Sequence, residues 1–352
     1  MIGIIGFESL HVMQYLDKYT TVLDAHEIDY EVIYWNRKNN KNPDSRYIPY
    51  EKPIDAYVPF QAKVTYFIGY ARFLYKIIRN KKYERLIILT SQTAVVLSPL
   101  LLTKYRHKYL YDYRDITFEK NHFYRYLIQK LIQNSSGVPI SSFGFLEEIG
   151  HSDKFFLAHN TQNLEKEMIA KIPAPTIRIV YWGMVRQVNF NKMICDVFGN
   201  DKRFTLIYHG EGFYREIEAY CLEKGYRTIH FTGGYDRHDL QQFISETDIL
   251  LNTYENDHQQ KLALTVKLYD GMRYQRLQLV TADSYMAKFL EDYSIAYPLN
   301  LNNSQIKEEI IEWYNALTQE QIAEEYQKLR NKMLRDEANF RHLVESFVSR
   351  KV

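Results

Sequence analysis

The chain has 352 residues, 46% of them hydrophobic, with 45 basic and 43 acidic residues and a formal charge of +2. That length exceeds what a single core sustains, so roughly two domains are expected, and so even a charge balance removes any global electrostatic case for a nucleic-acid partner. Cys195 and Cys221 are the only cysteines; they suggest neither a disulfide framework nor a thiolate metal site, and they fit a reducing cytoplasm. The opening MIGIIGFESLHVM has no charged leader and no run of about 18 apolar residues occurs, so the chain is expected to be neither exported nor membrane-spanning. Its 31 tyrosines and 19 phenylalanines are too many to bury with every hydroxyl satisfied, which puts aromatic groups on the surface for sugar stacking or membrane-interface contact.

In chain order, short apolar strands alternate with helical segments. The first half is expected to hold strands over 1–7, 30–35, 85–90, 109–113 and 138–141, an alternation that folds into a parallel sheet wrapped by helices. The turn GFESLH after the first strand offers Glu8, Ser9 and His11, although His11 alone also reads as a satisfied helix histidine. The helix KVTYFIGYARFLYKIIRNKKYER carries Lys76, Arg79, Lys81, Lys82 and Arg85 beside Phe67, Tyr70, Phe73 and Tyr75, and NHFYRYLIQKLIQ repeats the mixture more mildly. Such a face either suits an anionic membrane surface or is the solvated basic side of an ordinary domain helix. In LYDYRDITFEKNHF, Asp112, Arg114 and Asp115 fall at the edge of the sheet. Asp115 there is either a general base or a helix cap beside an Asp112–Arg114 pair.

The proline-bearing loop KIPAP marks the domain boundary, and further strands are expected over 177–181, 204–208, 228–231, 249–253 and 277–281. Two open parallel sheets gather helix N-termini at the carboxyl ends of their strands, so ligands are expected there, in a cleft between the domains. Three consecutive strands end in glycine: Gly183 is followed by Met184, Val185 and Arg186, Gly210 and Gly212 open FYREIEAYCLEKG, and Gly233 and Gly234 precede Tyr235, which can flank a nucleobase. Each turn alone reads as a tight strand-to-helix connection; together they read as places where backbone amides approach phosphate closely. In TVKLYDGMRYQRLQLVT, Lys267 and Asp270 share one helix face, either as a surface ion pair or as a cation and an acceptor aimed at a ligand with phosphate and hydroxyl groups. The tail from Ser304 reads as helices with apolar residues at helical spacing. No HExxH, GxSxG, GxxxxGK[ST] or Asp-x-Asp occurs, so a diphosphate is expected to be held without metal, by Lys, Arg and backbone amides.

The succession IVYWGMVR, LIYHGEG, IHFTGGY, DILLNTY and VKLYDGMRYQRLQLVT resembles the donor-binding half of GT-B glycosyltransferases of the family 4 type, which include bacterial capsule and surface-polysaccharide enzymes. The resemblance covers most of the chain and is firmest over 177–298. It implies an α/β fold of GT-B type, with two Rossmann-like domains whose parallel sheets face each other across a cleft. Residues 1–170 would bind the acceptor, 171–335 the nucleotide sugar, and 336–352 would form a helix packing back on the first domain. Asp270 stands where the family has a ribose-contacting Glu, and Lys267 would lie near the phosphates or the sugar. The implied donor set is Gly183, Arg186, Gly210, Gly212, Gly234, Tyr235, Lys267 and Asp270; Asp115 and Lys267 are the catalytic candidates, and Glu8, Ser9, His11 and Arg114 the acceptor candidates. Two positions depart from the pattern. The Arg expected after the first glycine is Met184, leaving Arg186 or Lys192 to supply charge, and the earlier Glu is Leu262, with Glu255 or Asp257 nearby.

The function implied is sugar transfer from a nucleotide-diphosphate sugar, with a UDP-sugar as co-substrate and neither cofactor nor metal. The acceptor would be a polyprenyl-diphosphate-linked saccharide in capsule or surface-polysaccharide synthesis, handled in the cytoplasm at the inner membrane face with peripheral contact to anionic lipid. Retention of anomeric configuration follows from the resemblance, whereas Asp115 as a base suits inversion. The alternative is a GT-B-like partner protein without activity that binds a nucleotide sugar or glycan, for which Met184 and Leu262 argue. A Rossmann oxidoreductase or epimerase lacks its GxGxxG after the first strand.

Overall fold

In the computed structural model, which describes residues 1–37, 44–53, 60–161 and 163–349, the chain divides into two compact units, Met1–Gln162 with Leu334–Val352, and Asn163–Met333. The proline-rich segment 171–175 lies inside the second unit, at the end of a stretch, 163–174, that carries no regular element.

The first unit contains β1 (Ile2–Ile5), β2 (Tyr30–Asn36), β3 (Tyr47–Glu51), β4 (Arg85–Leu89), β5 (Tyr109–Asp112), β6 (Val138–Ile140) and β7 (Phe155–Leu157). Five of these form a parallel sheet in the order β3-β2-β1-β4-β5. β6 pairs with β7, and bridges from Leu110 to Gly137 and from Tyr113 to Ile140 tie β6 to β5. Strands β1 and β4 read IGII and RLIIL and are buried at every position, as a parallel sheet covered on both faces requires. The second unit contains β8 (Ile177–Trp182), β9 (Phe204–His209), β10 (Ile229–Gly233), β11 (Ile249–Asn252), β12 (Leu277–Thr281) and β13 (Ala296–Leu299), in the parallel order β10-β9-β8-β11-β12-β13.

The ten expected strands form within a residue or two of their predicted limits; β3, β7 and β13 were not expected. Both β3 (YIPYE) and β13 (AYPL) contain proline and lie at sheet edges, where a missing N–H is tolerated, and β7 is three residues long. The helix Gln319–Ser349 supplies Ile322, Tyr326, Leu329 and Met333 to the core of the second unit and Phe340, Leu343, Val344 and Phe347 to that of the first. Residues 350–352 of the expected terminal helix lie outside the described residues. Cys195 and Cys221 are both buried in the core of the second unit. Among the described residues, no helix is long and apolar enough to cross a membrane.

Several polar groups singled out in the sequence hold the first unit together. Asp112, fully buried, meets the Arg114 guanidinium at 2.5 and 2.8 Å and accepts from the Tyr19 hydroxyl at 2.5 Å. Arg114 also donates to the Ala158 carbonyl (2.9 Å) and lies over the Tyr15 ring. The structure thus gives Arg114 a structural role, its guanidinium held between Asp112 and the Ala158 carbonyl. Arg85 leaves the basic helix face altogether; its guanidinium is buried and donates to the carbonyls of Phe347 and Val348 at the end of the last helix. Replacing Asp112 with Ala strands a buried guanidinium and should destabilise the protein by about 3–5 kcal/mol, whereas Asp115→Ala, on an exposed residue, should cost less than about 0.5 kcal/mol; urea unfolding of the two variants checks this.

Candidate functional site

The strand order of the second unit reverses between β8 and β11, and in open parallel sheets ligands bind at the carboxyl ends of strands at such a switch point. Here β8 runs into Gly183 (φ 121°), β9 into Gly210 (φ 147°) and Gly212 (φ 103°), and β10 ends at Gly233 (φ 73°), all conformations that favour glycine. A β-carbon at Gly210 would lie 1.7 Å from the Gly183 carbonyl oxygen, and one at Gly212 2.3 Å from that of Val185. Close passage lets the turns bond to one another: Gly183 N–H donates to His209 O (2.9 Å), Val185 N–H to Glu211 O (2.7 Å), Phe213 N–H to Val185 O (2.9 Å) and Gly210 N–H to Gly233 O (2.7 Å). The amides of Gly183 and Gly210 are thus committed within the rim, where the sequence reading had them approaching phosphate. At Gly234, an added β-carbon would meet the Glu211 carboxylate.

The charged groups sit beside this rim. The helix Val266–Tyr274 begins just after Thr265, whose hydroxyl donates to Asn252 at the end of β11 (2.6 Å). Lys267, in its first turn, is only 7% exposed; its ammonium donates to the Tyr254 hydroxyl (2.8 Å), lies 4.0 Å above the Tyr181 ring, and would be 3.6 Å from a β-carbon at Gly183. Burial lowers its pKa, against the opposing influence of Tyr181 and Asp270, while the nearby Arg186 charge lowers it further. Asp270 accepts from the Trp182 indole N–H at 3.0 Å, and burial raises its pKa against the pull of Trp182, Lys267 and Arg273. No ion pair joins Lys267 to Asp270 among the described residues, so the surface-pair reading is excluded: both groups are largely buried and have different partners.

Arg186 is exposed beside Lys267, whereas Lys192 is paired with Glu216 (3.2 Å), so Arg186 is the cation left to the rim. Met184 is 50% exposed, and Leu262 is buried. Tyr235 is half-buried, packs edge-on to Phe243 (5.2 Å), and feels the Asp270 charge. Phe243 stacks at 3.5 Å on His209, a residue the sequence reading missed because a buried histidine in a strand carries no motif. His209 Nδ1 is 2.8 Å from the Thr232 hydroxyl, Nε2 has no partner among the described residues, and burial depresses the pKa to about 4, leaving the ring neutral at pH 7.

At the carboxyl ends of the strands of the first unit, Glu8 pairs with Arg37 (2.9 Å), whose guanidinium lies over Phe7 and Trp35. Burial raises the Glu8 pKa, Arg37 counteracts it, and the Asp115 charge raises it slightly. Glu8 and Asp115 thus share one region with Tyr15, on which both charges act. Ser9 is buried and accepts from the Arg37 N–H while donating to Trp35 O, a loop-fixing role. His11 is exposed in a turn, not in a helix, and the cap of the helix His122–Asn134 is Asn121, not Asp115.

No family model matches the chain, and no curated protein matches it in sequence. Solved structures match it in fold. The chain is similar to a sucrose-phosphate synthase from Thermosynechococcus elongatus, at 12% identity and TM-score 0.70, over 97% of this chain and 96% of that one. The fold is of GT-B type. Two more likenesses agree: a glycosyltransferase from Rickettsia africae (11% identity, TM-score 0.64, 99% of each chain) and the Anabaena protein HepE in complex with UDP and glucose (13% identity, TM-score 0.63, 98% of this chain and 99% of that one).

Gly210→Ala forces its β-carbon into the Gly183 carbonyl and should destabilise the protein by about 2–4 kcal/mol, read from chemical unfolding. For His209, the folded pKa of about 4 lies below the ordinary 6.5, so the unfolded state binds the proton first and stability falls as pH drops from about 6.5 to about 4. This component should reach about 3 kcal/mol, and His209→Phe should remove it from the difference in unfolding free energy between pH 7.5 and pH 4.5.

Proposed function

We propose that the chain is a glycosyltransferase that takes a sugar from a nucleotide-diphosphate sugar, with the second unit binding the donor and the first the acceptor. The observation that carries the reading is the Lys267 ammonium, held at the switch point of a GT-B fold one helical turn from the Asp270 carboxylate. On this reading Lys267 and Arg186 neutralise the departing diphosphate without a metal, Asp270 accepts from the ribose hydroxyls, and Tyr235 flanks the base. Likeness to the HepE complex with UDP and glucose favours a uridine donor. Electrostatic stabilisation of the leaving group then supplies most of the acceleration.

In the first unit, Glu8 and Asp115 receive the acceptor hydroxyl, Asp115 as the more exposed of the two. The finer parts of the proposal are a family 4 type enzyme retaining anomeric configuration, a polyprenyl-diphosphate-linked saccharide as acceptor, and a role in capsule or surface-polysaccharide synthesis at the cytoplasmic membrane face. A second reading, a non-catalytic partner that binds a nucleotide sugar or glycan, draws support from exposed Met184 and buried Leu262, two positions where the family resemblance calls for charge.

A panel of nucleotide sugars, assayed for released nucleotide with and without a lipid-linked saccharide, separates these readings. The enzyme should turn over at least one donor, Lys267→Ala should lower the rate about 10²–10³-fold, and Asp270→Ala should weaken donor binding about tenfold or more. Donor binding without turnover favours the partner protein; neither binding nor turnover contradicts both readings.

A further inference from the structure

An apolar shelf interrupts the charged rim of the second unit. Met184, on the turn between β8 and the helix Val188–Phe198, is 50% exposed, and Phe213, on the turn between β9 and the helix Tyr214–Glu223, is 59% exposed. The two turns touch. Val185 bridges to Gly212, and the Met184 sulfur lies 3.0 Å from where a β-carbon on Gly212 would stand, so the thioether crosses the glycine that precedes Phe213. The shelf adjoins the buried cation, since Lys267 Nζ would be 3.6 Å from a β-carbon on Gly183, the residue before Met184.

Hydrogen-bonding capacity along this stretch is largely spent. The amides of Gly183, Val185, Gly210 and Phe213 donate within the rim, and the Met184 carbonyl accepts from the Tyr181 hydroxyl at 2.7 Å. Neighbouring polar side chains turn elsewhere: Glu211 lies against Gly234, Gln187 accepts from the Glu255 N–H at 2.9 Å, and Lys192 pairs with Glu216. A sugar hydroxyl laid on the shelf would exchange water for a thioether and a phenyl ring, and an unpartnered hydroxyl weakens binding by about fivefold to a hundredfold. A methyl group buried there gains about fourfold instead.

We propose that this shelf selects a nucleotide sugar whose glycosyl group carries a methyl, as a 6-deoxyhexose or a 2-acetamido sugar does. The inference rests on the donor reading above, in which Lys267 and Arg186 hold the diphosphate while Asp270 and Tyr235 take the ribose and the base. The sugar is then the part of the donor left for Met184 and Phe213. A side chain unable to contact phosphate thereby gains a role in choosing the sugar.

Calorimetric titration with UDP, UDP-glucose, UDP-6-deoxyglucose and UDP-N-acetylglucosamine tests it. UDP should bind, and at least one methyl-bearing donor should bind about tenfold tighter than UDP-glucose. A gain for the 6-deoxy sugar puts the methyl at C6, and a gain for the acetamido sugar puts it on the C2 substituent. Met184→Gln and Phe213→Asn, both at exposed side chains and checked for folding by circular dichroism, should cut that preference to about twofold or less with UDP affinity unchanged. UDP-glucose bound as tightly as both methyl-bearing donors, or a preference that survives both substitutions, would overturn the shelf and leave the donor reading standing. Equal weakening of UDP and every donor by the variants would mark a merely structural role and overturn it too. Failure of UDP to bind would overturn the donor reading, and the shelf with it.

Discussion

A buried ammonium needs something negative near it, and Lys267 has only partial satisfaction within the protein. One hydroxyl, two aromatic rings and a carboxylate a helical turn away offset part of its desolvation, while Arg186 opposes it. A second anion would complete the balance. The fold places the charge where such an anion is best received, at the start of a helix, at the reversal of strand order, and next to a turn whose lack of a side chain leaves room for it.

The glycine rim contributes shape more than hydrogen bonds. Gly183, Gly210 and Gly212 allow three turns to pass within bonding distance, and the amides they use to hold one another are no longer offered outward. The rim is therefore a platform of turns bonded to one another, and the charged side chains Lys267 and Arg186 stand beside it. A stacked, neutral His209 and the indole of Trp182 extend the same logic into the interior, fixing Phe243 and the Asp270 carboxylate. Support of this kind is what electrostatic preorganisation requires.

Hydrophobic runs made the two parallel sheets readable, and the edge strands escaped because Pro49 and Pro298 argue against a strand unless its place at the edge is known. Lys267 and Asp270 were legible from their spacing, but their partners were not: Tyr254, Tyr181 and Trp182 come from other strands and loops, and only the fold brings them together. The same gap explains Arg85, whose charge marks it as a surface group until the structure supplies the carbonyls of the last helix, whereas the Asp112–Arg114 pair, two residues apart, was one of the readings the sequence offered. Cys195 and Cys221, distant in sequence, share a core for the same reason.

A crystal structure of the protein with uridine diphosphate tests the central claim most directly. The account predicts the diphosphate oxygens within hydrogen-bonding reach of Lys267 Nζ and Arg186, and the ribose hydroxyls on Asp270. Diphosphate bound elsewhere, or Lys267 still closed off between Tyr181 and Tyr254 with no ligand atom on its ammonium, would contradict it.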